Sequence, residues 1–238
     1  MTQSSRRPSV VLVHGAFADS SGWAGVIREL LAAGVFVSAP PVPLRGLAFD
    51  ADTVAAHVRT VEGPVVLVGH SYGGAVISQA SAVLENVVGL VYTAAFALDV
   101  GESVDSAQKQ FAPSLLAANA RATPYDARGA AGGPDLFIDP EFFHETFCAD
   151  LPTDLAAVMG ISQRPLAAAA LAEEATAAGW HALSTSYMIA SNDQTINPEV
   201  QHFMAQRTGG RVETINGSHV SFISRPVETA AFILGALQ

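Results

Sequence analysis

Short runs of β-branched and apolar residues alternate along this chain with longer stretches in which apolar residues recur every three or four positions. The first run, Val10–Val13, ends at a turn-rich loop, HGAFADSSG. In the WAGVIRELLAAG that follows, Trp23, Val26, Ile27, Leu30 and Leu31 fall at helical spacing, and Gly34 is placed to stop the helix. VFVSA, from Val35, predicts the next strand, and PPVPLRG predicts a loop. A helix from about Asp52 to Val61 would carry Val54, Val58 and Val61 on one face, with Gly63-Pro64 breaking it. Val65–Val68 is short and wholly apolar, as in the middle of a parallel sheet covered on both faces. GGAVISQASAVL then predicts a buried helix of small residues, and VVGLVYTAAF, from Val87, another strand. This alternation implies right-handed crossovers and an open parallel α/β sheet.

The pattern changes near Leu98. From there to Leu183 the chain shows no sheet strand; it is Ala-rich and helical in tone, with Pro and Gly breaks. STSYMIAS resumes the strand signal, and Asn197-Pro198 opens a helix with Asn as cap and Pro in its first turn. RVETI is the last strand, and a helix from Pro226 carries Val227, Ala230, Ala231 and Leu234 at helical spacing. The expected organisation is a core of residues 1–97 and 184–238, with six strands and helices on both faces. Residues 98–183 form a helical insertion packed over it.

Composition narrows the function classes. Of 238 residues, 50% are hydrophobic and 14% charged, which is globular rather than disordered. No apolar run approaches the roughly 20 residues of a membrane helix, and the run before His14 is short for a signal peptide, so a soluble cytoplasmic protein is expected. Cys148 is the single cysteine, which excludes an intrachain disulfide and any metal site built on a Cys cluster. A net charge of −10 with no Lys/Arg cluster argues against nucleic acid. The expected partner is a small molecule, and a homodimer is left open.

The chemistry concentrates where Val65–Val68 runs into Gly69-His70-Ser71-Tyr72-Gly73. A serine between glycines, after a buried strand and before a small-residue helix, fits a turn that holds Ser71 out as a nucleophile. A serine hydroxyl needs a base, and in this pattern the order is Ser, acid, His. His219 in INGSHVSF lies just past the last strand. His57 and His202 fall within helices, His144 and His181 in the insertion, His14 precedes the expected position, and His70 points away from Ser71. The acid should follow the penultimate strand, where SYMIASND supplies Asp193; Asp99 is its rival, and Asp150 and Asp154 are expected to cap helices or to be solvated. The backbone N–H groups of Tyr72 and of Ala16, beside Gly15 in HGAF, are the candidate donors for an oxyanion.

By these residues the sequence resembles the α/β-hydrolase superfamily. Within it, the chain is similar to the compact branch of plant methylesterases, hydroxynitrile lyases and bacterial pyrethroid-hydrolase-like esterases. The resembling segments are VVLVHGAFADSSGW, VVLVGHSYGGAVIS, LVYTAAFALDVGES, SYMIASNDQTINPEVQHFMAQR and GSHVSFISRPVE. The resemblance implies the α/β-hydrolase fold with a helical cap at the insertion. It also implies a triad of Ser71, Asp193 and His219, oxyanion donors Ala16 and Tyr72, and loss of the first two strands of larger relatives. Two departures matter. The lyases carry threonine where this chain has Gly15, and lysine where it has Val220; their absence favours hydrolysis.

The expected activity is hydrolysis of an uncharged apolar ester or lactone through an acyl-enzyme, with no metal or organic cofactor. The alternatives are lyase, carbon–carbon cleavage or amide chemistry on the same residues, or a small-molecule receptor with little turnover. DLFIDPEFFHETF offers Phe137, Phe142, Phe143 and Phe147, which divide between cap core and pocket. Phe17, Phe143, Trp180 and Phe222 are the substrate-binding candidates.

Overall fold

The structure is a computed structural model that describes residues 7–124 and 133–238. Its first half alternates β1 (Ser9–Val13), α1 (Ala24–Ala32), β2 (Val37–Ser38), α2 (Leu47–Val58), β3 (Val65–His70), α3 (Tyr72–Ser81) and β4 (Val87–Thr93). The insertion follows, with α4 (Val104–Gln108), α5 (Leu115–Asn119), β5 (Ala120–Thr123), β6 (Asp135–Ile138), α6 (Phe143–Phe147), α7 (Thr153–Ser162), β7 (Leu166–Ala167) and α8 (Ala168–Ala172). The chain then returns through β8 (Ser184–Ala190), α9 (Pro198–Thr208), β9 (Arg211–Ile215), α10 (Ser221–Ser224) and α11 (Pro226–Gly235).

Six strands form one parallel sheet in the order β2-β1-β3-β4-β8-β9. The wholly apolar runs occupy its middle: every residue of β1 and β3 is buried, between a layer in which α1 packs on α11 and one in which α2 packs on α3. The chain leaves β1 toward β2 on one side and returns to β3 on the other, so the loops after β1 and β3 diverge at a topological switch point, where sites form at the strands' carboxyl ends. Register makes this concrete. Val13 lies opposite Gly69, so the His14-Gly15 step comes level with His70-Ser71. His70 lies opposite Thr93, and Thr93 opposite Met188, which brings the ends of β3, β4 and β8 to the same rim.

Several elements differ from the sequence-based expectation, each because of a distant partner. The second strand is only Val37–Ser38, an edge strand paired on one side, with Phe36 exposed. The helix predicted from Asp52 begins at Leu47, because the Glu173 carboxylate accepts from Leu47 N–H (2.6 Å) and Ala48 N–H (3.2 Å) at its N-terminus. Asn197 does not cap α9 with its side chain, which donates instead to the Ala112 carbonyl (2.8 Å). The insertion is not purely helical: β5, β6 and β7 form an antiparallel sheet in that order, with strands too short for periodicity to reveal. Among the described residues no helix is long and apolar enough to cross a membrane.

Candidate active site

β3 passes into α3 through a single residue, Ser71, with φ 54° and ψ −125°. That is a left-handed conformation a non-glycine residue rarely adopts, with a cost of order 1–3 kcal/mol. The surrounding backbone holds it. Ser71 N–H donates to Thr93 O (3.4 Å), and its carbonyl accepts from Gly74 N–H (3.0 Å) and Phe96 N–H (3.1 Å). Gly73 permits the turn, since a Cβ there would stand 2.5 Å from the Val13 carbonyl oxygen.

Asp193 and His219 arrive on neighbouring loops after β8 and β9. These loops are tied by Ser191 N–H to Ile215 O (3.0 Å) and Asn192 N–H to Gly217 O (3.1 Å). Both side chains are fully buried, and His219 Nδ1 lies 2.7 Å from Asp193 Oδ2. A carboxylate only accepts, so Nδ1 carries the proton and Nε2 is the free base. Nε2 is buried and has no hydrogen-bond partner. Asp193 has three further donors: Thr195 N–H (2.7 Å) and Ile196 N–H (2.9 Å) on Oδ1, and Gln201 Nε2 (2.7 Å) on Oδ2. Gln201, on the buried face of α9, was not anticipated from the sequence; it also accepts from Ala190 N–H (2.9 Å) and so locks the acid loop to β8.

Two more side chains fix the His219 loop. Burial, then the neighbouring His219, holds the pKa of His70 well below its ordinary value. The neutral ring donates from Nε2 to the His219 carbonyl (2.9 Å) and packs 4.5 Å from the His219 ring. His219 thus lies against the residue preceding Ser71. Asp150, expected to cap a helix or stand in solvent, instead reaches from the insertion to accept from Ser218 N–H (3.0 Å), the Ser218 hydroxyl and the Ser224 hydroxyl (2.6 Å). Burial would raise its carboxyl, but the bonds from Ser218 and Ser224 outweigh that and hold it below the ordinary range.

The loop after β1 approaches Ser71 from the other side. A Cβ on Gly15 would stand 2.6 Å from Ser71 Cβ, so only glycine fits without displacement. His14 is buried, and its Nε2 accepts from Val42 N–H (2.9 Å). A backbone N–H can only donate, so the ring proton is on Nδ1, which donates to Gly15 O (2.9 Å). In a trans peptide the carbonyl and the next N–H point in opposite directions. Holding Gly15 O at the His14 ring therefore turns Ala16 N–H away from it. Ala16, Ser71 and Tyr72 line one cavity. Tyr72 is anchored by its hydroxyl, which donates to the buried Asp50 Oδ2 (2.8 Å). Burial raises the pKa of both Asp50 and Tyr72.

His14 makes folding sensitive to acid. Burial lowers its pKa from 6.5 to about 4. Between those values the unfolded chain holds a proton that the folded chain does not, so stability is greatest above pH 6.5 and falls as pH drops toward 4. This one group should remove roughly 3 kcal/mol across that window. Urea denaturation at pH 7.5, 5.5 and 4.5 should show the decline. His14→Gln should flatten it while lowering stability at pH 7.5.

The cavity at Ser71 is small, about 40 Å³. Phe17, at φ 59°, lines it, with Phe96, Leu116, Leu166, Leu171 and Ile196. The other three substrate-binding candidates do not. Phe143 is buried against Phe147 and Gly160, and Phe222 packs on Trp23 and His70. Trp180 donates to Leu98 O (2.8 Å) beside α3. In each case an aromatic ring serves the core where it lies. Asp99 is distant in role as well: it is exposed and pairs with His181 (3.0 Å).

A family model described as the alpha/beta hydrolase family matches residues 10–232. Among curated proteins, probable hydrolase R7 of a Phoma species is 30% identical over 218 residues, covering 82% of this chain and 81% of that protein. Alpha/beta hydrolase nvfD of Aspergillus novofumigatus is 25% identical over 241 residues, covering 92% of each. Among solved structures, polyneuridine aldehyde esterase superposes with a TM-score of 0.85 at 18% identity, covering 98% of this chain and 100% of that one. A pyrethroid hydrolase from Sphingobium faniae JZ-2 superposes with a TM-score of 0.79 at 22% identity, covering 97% of each. At such identities the likeness is one of fold.

Proposed function

The chain belongs to the alpha/beta hydrolase family, and from that premise we propose that it is a serine carboxylic-ester hydrolase working through Ser71, His219 and Asp193. One observation carries the reading. Asp193 accepts from His219 Nδ1 at 2.7 Å, which leaves Nε2 bare on a ring packed 4.5 Å from that of His70, the residue before a serine held at a strained turn. His219 Nε2 removes the Ser71 proton as Oγ attacks the ester carbonyl, and Asp193 stabilises the imidazolium. The N–H groups of Ala16 and Tyr72 receive the oxyanion, the first turned by His14 and the second at the start of α3, whose N-terminus favours negative charge. His219 then protonates the departing alkoxide, and a water deprotonated by the same nitrogen releases the acid. The mostly apolar cavity, with no Asp, Glu, His, Lys or Arg in its lining, favours an uncharged ester or lactone. The names of the esterase and pyrethroid-hydrolase structures agree with this chemistry. The single cysteine, Cys148, is buried with its thiol pushed up to about 12 by burial, which keeps it un-ionised and a poor rival to Ser71 as nucleophile.

A phosphonofluoridate should label the protein with one equivalent, at Ser71, and abolish turnover of a chromogenic ester in proportion. Labelling elsewhere with full loss of activity would sink the proposal.

Gly15 separates this reading from the lyase alternative. Threonine, the residue of the resembling lyases, would put its Cβ 2.6 Å from Ser71 Cβ and 2.9 Å from the His70 carbonyl. Gly15→Thr should therefore displace the nucleophile rather than confer cyanohydrin cleavage. The expected loss in kcat/KM toward an ester is on the order of 100-fold, the scale of a misplacement of about 1 Å. Steady-state assays with an ester and a cyanohydrin check both halves.

A further inference from the structure

One short stretch of the insertion, Thr146 to Asp150 where α6 ends, meets both loops that carry the acid and the base. The Thr146 carbonyl accepts from the Thr195 hydroxyl at 2.7 Å, and Thr195 N–H is itself a donor to Asp193 Oδ1. Asp150 accepts from both the N–H and the hydroxyl of Ser218, the residue before His219. Between these two contacts along the chain, the Phe147 ring packs on the His219 ring, with centroids 5.1 Å apart and planes at 59°. Phe147 and His219 are both wholly buried. Phe143 and Phe17 hold Phe147 in turn, with ring centroids at 5.0 and 6.3 Å. Among the described residues, those lining the cavity at Ser71 do not include Phe147, so its ring stands against the base and not in that cavity's wall.

We propose that Phe147 is the positioning residue through which the insertion completes the site: it holds the His219 imidazole at the angle that aims Nε2, and it helps keep water from the Nδ1–Asp193 bond. The kinetic consequence rests on the ester-hydrolase reading. The hydrogen bond to Asp193 fixes one atom of the ring. The torsion that swings an imidazole about its Cβ–Cγ bond has a broad minimum, so that single bond leaves the ring free to tilt. Nε2 is not the bonded atom, and a tilt displaces it. His70 restrains the ring from the core, at 4.5 Å, and Phe147 restrains it from the insertion. A displacement of about 1 Å at a reacting group costs on the order of 100-fold in rate. Phe147 exchanges no proton and forms no bond in the reaction. It acts only through His219, which still takes the Ser71 proton and returns it to the departing alkoxide.

The test compares Phe147→Leu and Phe147→Met with Phe232→Leu. Methionine nearly conserves volume while giving up the rigid ring, and it supplies the measurement should the leucine variant not fold. Phe232 is a buried phenylalanine on α11, beneath the Arg211 guanidinium, and serves as the control for lost packing. Both Phe147 variants should lower kcat toward a chromogenic ester by at least about tenfold, with KM within about threefold of wild type. In proton NMR the downfield His219 Nδ1–H resonance should broaden in both and exchange faster with solvent. Phe232→Leu should lose stability yet keep kcat and the resonance. A smaller fall in kcat, a loss confined to KM, an unaltered resonance, or the same losses in Phe232→Leu would each overturn the assignment while ester hydrolysis stands. If the wild type turns over no ester and takes no phosphonate at Ser71, the esterase reading falls instead. The resonance alone then decides whether Phe147 holds the ring.

Discussion

Ser71→Ala should lower kcat toward any ester by about 10⁶-fold, the scale seen when a serine nucleophile is removed from a working triad. The size of the loss follows from what the substitution leaves behind. Alanine keeps Cβ and the backbone, so the turn remains held by Thr93, Gly74 and Phe96. The donors on Ala16 and Tyr72 and the His219–Asp193 pair are likewise untouched. Only the attacking oxygen is gone, and with it the covalent intermediate. Stability should change by less than about 1 kcal/mol, because no buried network includes the hydroxyl. Binding of a non-hydrolysed ester analogue should persist. The measurement is single-turnover and steady-state hydrolysis of one chromogenic ester, with circular dichroism melting as the control for folding. A variant that retains activity within tenfold of wild type would place the chemistry on another residue.

How much of this was legible in the sequence depends on how local each cause is. β1 and β3 announce themselves because a strand buried on both faces needs no partner-specific residue, only an apolar run. Ser71 is legible for a similar reason: the steric demand of the turn writes glycines on both sides of it. Asp193 and His219 follow from their places after β8 and β9. The start of α2 was not legible, because Glu173, far along the chain, supplies acceptors for its first N–H groups. β5 and β6 are four residues each and β7 two, below the length at which alternation can be distinguished from helix. The supporting polar residues share this property. Asp150 meets Ser218 across 68 positions, and Asp50 meets Tyr72 across 22. Yet two left a trace. Asp50 stands among the buried Leu47, Ala51 and Val54, and Gln201 among the buried Val200, Met204 and Ala205. A polar residue on the apolar face of a helix requires a buried partner.

Asp193→Asn should cost about 10⁴-fold in kcat, and the reason lies in hydrogen-bond polarity rather than charge alone. Oδ1 accepts from Thr195 and Ile196 N–H, so an asparagine would keep its oxygen there and turn its NH₂ toward His219 Nδ1 and Gln201 Nε2. Both of those groups now donate. His219 can answer by moving its proton to Nε2, which lets Nδ1 accept but presents Ser71 with a donor where a base is needed. Gln201 cannot answer by flipping, because its oxygen is held by Ala190 N–H and its nitrogen also serves Ile196 O (2.7 Å). A buried donor is left facing a donor, which should lower stability by about 1–3 kcal/mol. Proton NMR in the wild type should show a downfield His219 Nδ1–H resonance that disappears in the variant, alongside the fall in kcat. Asp99→Asn is the matched comparison. Asp99 is exposed and bonded to His181 at 3.0 Å, so its loss should leave kcat within about twofold. Should the two variants exchange these outcomes, the acid of the reaction would lie after β4 instead of β8, and the hydrogen-bond pattern around His219 would need another explanation.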